Sequence, residues 1–327
     1  MVSKCMDTRT KKTVAIKKVI YEPNHGGTNR ELVMLKELRH PNCISVISSF
    51  TSEEFLLGDQ QKSDGPKKYL NIVMDYIPDN LYKIIRHYAK TNMAFPDTLA
   101  RVYSYQLFRC LHYLRSRRIM HRDIKPDNLL VDTRNHQLYF CDFGSAKRVV
   151  DGENNTTYIC SRYYRAPELL YNTECYDMTT DMWSVGCVLG EMYLQVPLFM
   201  GSSTKDQIEK IAEVLGVPDD LELKSMKVKR ADPYTGPKPL TLKNKLAGKA
   251  PPLVIDLVSK ILVYDPKKRL TPVEAMLHPY FDPLREKKIT INKQAITDLF
   301  NFLPEELEGH ERAMHKLTPS WYYKQSG

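Results

Sequence analysis

Long hydrophobic runs are missing from this chain. No stretch of its 327 residues approaches the roughly 18 uncharged apolar residues that a membrane-crossing helix needs. The opening MVSKCMDTRTKKT has no apolar signal-peptide core, so neither a membrane partner nor secretion is expected. Glycine is sparse, with 14 residues in all and none before Gly26. That excludes a glycine-rich phosphate loop from everything ahead of it. The seven cysteines include no C-x-x-C pair, which argues against zinc ribbons and dithiol redox motifs. An odd count without a secretory signal reads as free thiols in a reducing compartment. Acidic residues are outnumbered, 39 against 48 Lys and Arg, giving a formal charge of +9. The excess suits anionic partners such as phosphates or acidic peptides. An aromatic-plus-basic recognition motif is absent, so nucleic acid is not an expected partner.

What is there is ordinary globular composition, 42% hydrophobic and 27% charged, long enough for roughly two domains. TVAIKKVI (13–20) alternates as a strand, and YLNIVMDYI (69–77) is a second apolar strand. Between them NRELVMLKEL (29–38) has helical spacing, and 51–68 reads as a polar hairpin loop. Pro78 interrupts the second strand and marks a lobe boundary. Beyond it the pattern is helical. Pro96 and Asp97 open a helix whose Leu99, Val102, Tyr103, Gln106, Cys110, Leu111 and Leu114 recur every three or four residues. TTDMWSVGCVLGEMYL (179–194) begins with threonine caps and is apolar nearly all round, the mark of a core helix. Amphipathic helices follow at 206–216 and 253–262. Between them a basic run (224–249) holds eight Lys/Arg and one Asp, and reads as a solvated loop or a docking site for an acidic partner.

Four motifs carry the chemistry by their order. VAIK ends at Lys17, HRDIKPDN fills 121–128, DFG is 142–144 and APE is 166–168. Together they match the signature set of protein kinases, including the five-residue step from Asp123 to Asn128. Phosphoryl transfer needs positioning and charge neutralisation more than covalent help. Lys17 supplies a cation for the nucleotide phosphates, and Glu31 on the first helix is the carboxylate to hold it. A plain solvated ion pair is the alternative for those two. Asn128 and Asp142 offer hard oxygen ligands for Mg²⁺. Asp123 orients the acceptor hydroxyl and takes its proton, with Lys125 placed for the γ-phosphate. The adenine of ATP is expected at Met74, Asp75, Tyr76 and Ile77, sandwiched by Val2, Ala15 and Leu130 above Cys141. Plain core packing is an equal alternative for each of these singly.

NREL, YLNIVMDYIP, CDFGSAK and YICSRYYRAPELL resemble the glycogen synthase kinase-3 family. The similarity runs from Val2 to about residue 285 and resumes at LFNFLPEEL (299–307). It implies an α+β, bilobal protein-kinase fold: an N-lobe at 1–77, a helical C-lobe at 78–285 and a C-terminal extension at 286–327. It also implies a Ser/Thr kinase, cytoplasmic or nuclear, acting on protein substrates that are already phosphorylated. The matching positions of that family's priming-phosphate pocket are Arg30, Arg122 and Lys147. Three clustered cations without an internal phosphate would repel one another and favour an external one; pairing with nearby carboxylates is the alternative. Tyr158 matches the activation-loop phosphotyrosine, with a buried structural tyrosine as the alternative. Asp181, and Glu168 with Arg269, match structural anchors.

Two departures stand out. No G-x-G-x-x-G precedes Lys17, and Gly26 and Gly27 fall on its wrong side. Such a loop normally covers the phosphates with backbone N–H groups. Since every other catalytic position is intact, the expectation is a chain recorded from an internal Met, leaving the small sheet with an open edge. A kinase-fold pseudoenzyme or scaffold with weak turnover is the alternative. Second, KVKRADPYTGPKPL departs from the family's scaffold-docking pattern, which leaves scaffold partners open.

Overall fold

The structure is a computed structural model, and it describes residues 1–21, 29–54, 67–150, 152–228, 236 and 238–323. Its first part is a four-stranded antiparallel sheet with strand order β1-β2-β4-β3. The strands are β1 (Val2–Met6), β2 (Thr13–Ile20), β3 (Val46–Glu54) and β4 (Lys67–Asp75), with α1 (Arg30–Glu37) between β2 and β3. The Asn29 side chain caps α1 by accepting the Leu32 N–H at 3.0 Å. Helix α1 buries Glu31, Met34 and Leu35. The register sets Lys17 opposite Val2 on one side and Ile72 on the other. β1 is an edge strand, and its Val2 and Met6 are exposed.

The polar stretch 51–68 is partly strand rather than loop. β3 runs to Glu54 and β4 starts at Lys67, with Glu53 opposite Lys68 and Glu54 opposite Lys67. Cross-strand opposite charges stabilise such a pair despite its polarity, and Lys68 Nζ reaches Glu53 Oε1 at 3.2 Å. Residues 55–66, and Gly26 and Gly27 of the 22–28 segment, lie outside the described residues. β3 escaped the sequence reading because most of its side chains face water.

The larger part is helical, with short strands that carry its loops. β5 (Asp79–Asn80), α2 (Leu81–Lys90) and α3 (Asp97–Ser116) come first. β6 (Ile119–Met120), β7 (Leu129–Asp132), β8 (Gln137–Phe140) and β9 (Lys147–Arg148) frame the catalytic motifs. α4 (Pro167–Leu170), α5 (Thr179–Leu194) and α6 (Thr204–Leu215) follow, and further helices include α7 (Asp220–Ser225), α8 (Leu242–Leu246) and α9 (Pro252–Ile261). α3 and α5 are the hydrophobic centre: Tyr103, Tyr105, Phe108, Tyr113 and Trp183 are wholly buried. Truncating one of these aromatics to Ala is expected to cost about 3–5 kcal/mol. At Gly186 a Cβ would stand 2.7 Å from Ile261 Cγ2, so the glycine lets α5 and α9 pack closely.

Two local expectations are corrected. The threonines at the start of α5 do not cap it. Instead Asp177 Oδ1 accepts the Thr179 N–H (2.9 Å) and hydroxyl (2.7 Å), because both threonines already lie in the first turn. The basic run 224–249 is not simply a solvated loop. Its C-terminal part forms α8, capped by Thr241, and buries Leu242 and Leu246 in the core; 229–235 and 237 lie outside the described residues. The two parts of the molecule are tied by backbone. Cys43 makes a parallel bridge with Phe140, the Ile44 N–H donating to Phe140 O at 2.9 Å.

Candidate active site

Lys17 lies on β2 and Glu31 on α1, 14 residues apart in sequence. Lys17 Nζ donates to Glu31 Oε1 at 2.7 Å and to Asp142 Oδ1 at 2.7 Å. Glu31 is buried, so the pair is not a solvated one. Burial works against the Lys17 charge, but the carboxylates of Glu31 and Asp142 outweigh it and raise its pKa. Burial likewise pushes the Asp142 carboxyl up, and Lys17 overrides it, holding Asp142 below the ordinary carboxylate range. A fixed cation is thus available to an anionic ligand at any physiological pH.

Asp123 is the second centre. Its Oδ1 accepts the Ser161 N–H (3.0 Å) and hydroxyl (2.9 Å). Its Oδ2 accepts Lys125 Nζ and Asn128 Nδ2, each at 2.9 Å. Lys125 Nζ also donates to Ser161 Oγ at 2.9 Å. Burial raises the Asp123 carboxyl, but Lys125 and Ser161 outweigh it and hold it ionised below the usual range. Ser161 was not singled out from the sequence, although it opens the SRYYRAPE motif. The signal was its fixed place in that motif; its hydrogen bonds to the distant Asp123 and Lys125 needed the fold.

Three non-glycine residues around these centres adopt left-handed backbone: Arg122 (φ 66°), Asp142 (φ 61°) and Cys160 (φ 64°). Such conformations cost about 1–2 kcal/mol each and persist where the surroundings over-determine them. For Arg122 the surroundings are visible. Asp181, wholly buried on α5, accepts the His121 N–H (2.7 Å) and the Arg122 N–H (2.9 Å). Burial keeps the Asp181 pKa above its ordinary value despite those donors. His121 completes the support, its Nε2 meeting Cys141 O at 3.0 Å and its ring standing edge-on to Phe143.

The expected adenine residues line one stretch. Ala15 is opposite Met74 in register, Met74 is buried, and Asp75, Tyr76 and Ile77 follow it. Leu130 on β7 and Cys141 just past β8 are partly buried. Val2, 62% exposed, stands on β1 opposite Lys17. The three basic residues are brought together only in part. Met120 pairs with Lys147 across β6 and β9. Arg122 Nη1 donates to Tyr176 OH at 3.2 Å, Asn155 Nδ2 to Tyr176 O at 3.3 Å, and Lys147 Nζ to Asn155 Oδ1 at 2.7 Å. Lys147 also pairs with Glu153 at 2.8 Å. Arg30 is exposed at the first turn of α1 and forms no ion pair among the described residues. Tyr158 is 85% exposed with the Arg165 guanidinium 5.2 Å from its ring centre, which removes the buried alternative.

Glu168 and Arg269 form a sealed pair at 2.6 and 2.7 Å. Among the described residues no helix is long and apolar enough to cross a membrane. The sequence model of one family, the protein kinase domain, matches residues 1–281.

Proposed function

The chain belongs to the protein kinase domain family, and on that premise we propose an ATP- and Mg²⁺-dependent Ser/Thr kinase that favours acceptors already phosphorylated nearby. The observation that carries the reading is the Asp123 cluster. An aliphatic hydroxyl, Ser161 Oγ, rests 2.9 Å from the Asp123 carboxylate and 2.9 Å from Lys125 Nζ. An acceptor serine or threonine brought to that carboxylate has a base for its proton and a cation beside it for the phosphoryl oxygens. In the proposed step the acceptor oxygen attacks the γ-phosphorus, the bond to the bridging oxygen breaks, ADP leaves, and Asp123 takes the hydroxyl proton.

Asp142 and Asn128 fit a magnesium ion by donor chemistry. The Asn128 Nδ2 is spent on Asp123, through both its backbone O and its Oδ2, which leaves the amide oxygen as the group for a hard cation. That ion would neutralise phosphate charge when bound. Lys17, held by Glu31, is assigned to the α- and β-phosphates. The Met74–Ile77 stretch is assigned to the adenine edge.

Substrate preference rests on Arg30, Arg122 and Lys147. Arg122 Nη1 meets a neutral phenol and Arg30 has no carboxylate among the described residues, which supports anion capture. Lys147, paired with Glu153, would exchange that exposed carboxylate for a phosphate. Tyr158, by its exposure, is assigned as a phosphorylation site. The 1–77, 78–285 and 286–327 divisions are part of the same reading.

The test is transfer from Mg·ATP to one peptide in two forms, with and without a phosphoserine four residues after the target serine. Faster transfer to the primed form, with the advantage lost in Arg30→Ala, supports the whole reading. Equal rates remove the pocket and keep the kinase. No transfer to either form favours the scaffold alternative.

A further inference from the structure

A buried cluster lies away from the cleft. His40 and Cys43 sit in the turn between α1 and β3, Cys110 is on α3, and Glu306 belongs to the short helix Pro304–Leu307. The donor atoms of His40, Cys43 and Cys110 all lie within 4.8 Å of one another. Cys43 and Cys110 are buried, and the side chains of His40 and Glu306 have no exposed surface at all. His40 Nε2 has no hydrogen-bond partner among the described residues, although Glu306 Oε1 stands 3.3 Å away. We propose that His40, Cys43 and Cys110, whose donor atoms are already grouped, form a site for a borderline-soft divalent cation, with zinc the best fit and Glu306 drawn in from beside His40 as fourth donor.

Geometry, donor type and charge each support it. Two sulfurs at about 2.3 Å from a tetrahedral zinc lie about 3.8 Å apart, and a nitrogen and an oxygen at about 2.0–2.1 Å lie about 3.4 Å apart. Here the sulfurs are 3.6 Å apart, and Nε2 and Oε1 are 3.3 Å apart. Two thiols in simple contact would show a similar spacing. Simple contact leaves the sealed imidazole nitrogen facing only the Glu306 carboxylate, at 3.3 Å and outside hydrogen-bond geometry. The charges close as well: two thiolates and one carboxylate balance the dication and the Arg109 guanidinium, which holds Glu306 at 2.8 and 3.0 Å.

Binding releases the two thiol protons and forms two zinc–sulfur bonds. The Asn42 N–H donates to His40 Nδ1 at 3.1 Å, which keeps the ring proton on Nε2 in the metal-free chain. Zinc entry moves that proton to Nδ1 and gives up this one hydrogen bond. The result is a staple joining three segments distant in sequence: the turn after α1, the centre of α3 and the C-terminal segment.

Because the site is sealed, the metal is loaded during synthesis. The untagged full chain is expressed in cobalt-supplemented minimal medium and its absorption and metal content are measured. One cobalt per chain, with thiolate-to-cobalt charge-transfer bands in the near ultraviolet, is expected. Those bands are lost in Cys43→Ser/Cys110→Ala. Should that variant fail to fold, zinc-edge X-ray absorption on the unmutated zinc-grown chain decides instead, with two sulfurs at about 2.3 Å expected. Metal-free protein, or bound metal with only nitrogen and oxygen neighbours, overturns the site.

Discussion

Two ion pairs of nearly equal length sit in opposite surroundings. Lys17–Glu31 (2.7 Å) joins β2 to α1, and Arg269–Glu168 (2.6 Å) is sealed against α4. Arg269 has no exposed side chain, and its five N–H groups are all engaged: two on Glu168, and one each on Val263 O, Thr179 O and Tyr264 O. Lys17 keeps 17% of its side chain exposed and, among the described residues, spends two of three donors, on Glu31 and Asp142. A saturated cation can only hold the fold. An unsaturated one still has a hydrogen to offer a ligand. The difference between anchor and active group is therefore read from remaining donor capacity, not from distance.

The sharpest test of that contrast is at the chemistry. Asp123→Asn is expected to lower phosphate transfer about 10²–10⁴-fold, because the amide cannot take the acceptor proton. Its melting temperature should fall only modestly, since Asn keeps an acceptor oxygen toward Ser161 while turning its NH2 group toward the Lys125 and Asn128 donors. Radiolabelled-phosphate transfer and a thermal melt on the same preparation read both; a large fall in stability would make Asp123 an anchor instead.

Next comes the sealed pair. Arg269→Ala should cost about 3–5 kcal/mol by stranding the Glu168 carboxylate, seen in the urea midpoint. Lys17→Met should abolish transfer at a smaller cost in stability. If the two variants melt alike, the contrast between the pairs is broken.

Glu306 extends it to pH. In the metal-free chain burial would raise its carboxyl, but His40 and Arg109 outweigh that and hold it at about 2, below the ordinary 4.5. The stability it contributes is full above about pH 4.5 and is lost as pH falls toward 2, a change of about 3 kcal/mol. Denaturation midpoints across that window should slope steeply in the parent and flatten in Glu306→Gln. Equal slopes would show that Glu306 is not the group responsible.

The smallest effect concerns Ser161. Losing its hydroxyl in Ser161→Ala should slow transfer about tenfold, or about 1.4 kcal/mol, by loosening Asp123 and Lys125. Ser161→Thr should recover most of the rate in the same assay, and a silent Ser161→Ala would confine the serine to backbone support.

Much of the cleft was legible because its residues come in short motifs. Asp123, Lys125 and Asn128 share one loop, and a loop's local geometry travels with its sequence. Glu31 was legible from helical spacing and the need for a carboxylate. The polar strand β3 was not, because pairing across to β4 stabilises it and no apolar alternation advertises it. α8 was hidden the same way, since two leucines in a basic run look solvated until the core that receives them is known. The His40, Cys43, Cys110 and Glu306 cluster was unreadable. Absence of a C-x-x-C pair argued against zinc ribbons and dithiol redox motifs and said nothing of the two cysteines 67 residues apart that the fold brings together.

The sequence by itself determined which ionisable groups this chain can offer, because short motifs such as 121–128 carry several of them in one loop. It also determined the helical core, since apolar residues must leave water wherever they pack. The tertiary structure alone decided which cations are saturated and which are free, that Arg122, Asp142 and Cys160 would be held in strained backbone, and that His40, Cys43 and Cys110 would meet beside Glu306. Those properties depend on burial and on contacts between distant residues, and neither exists until the chain has closed on itself.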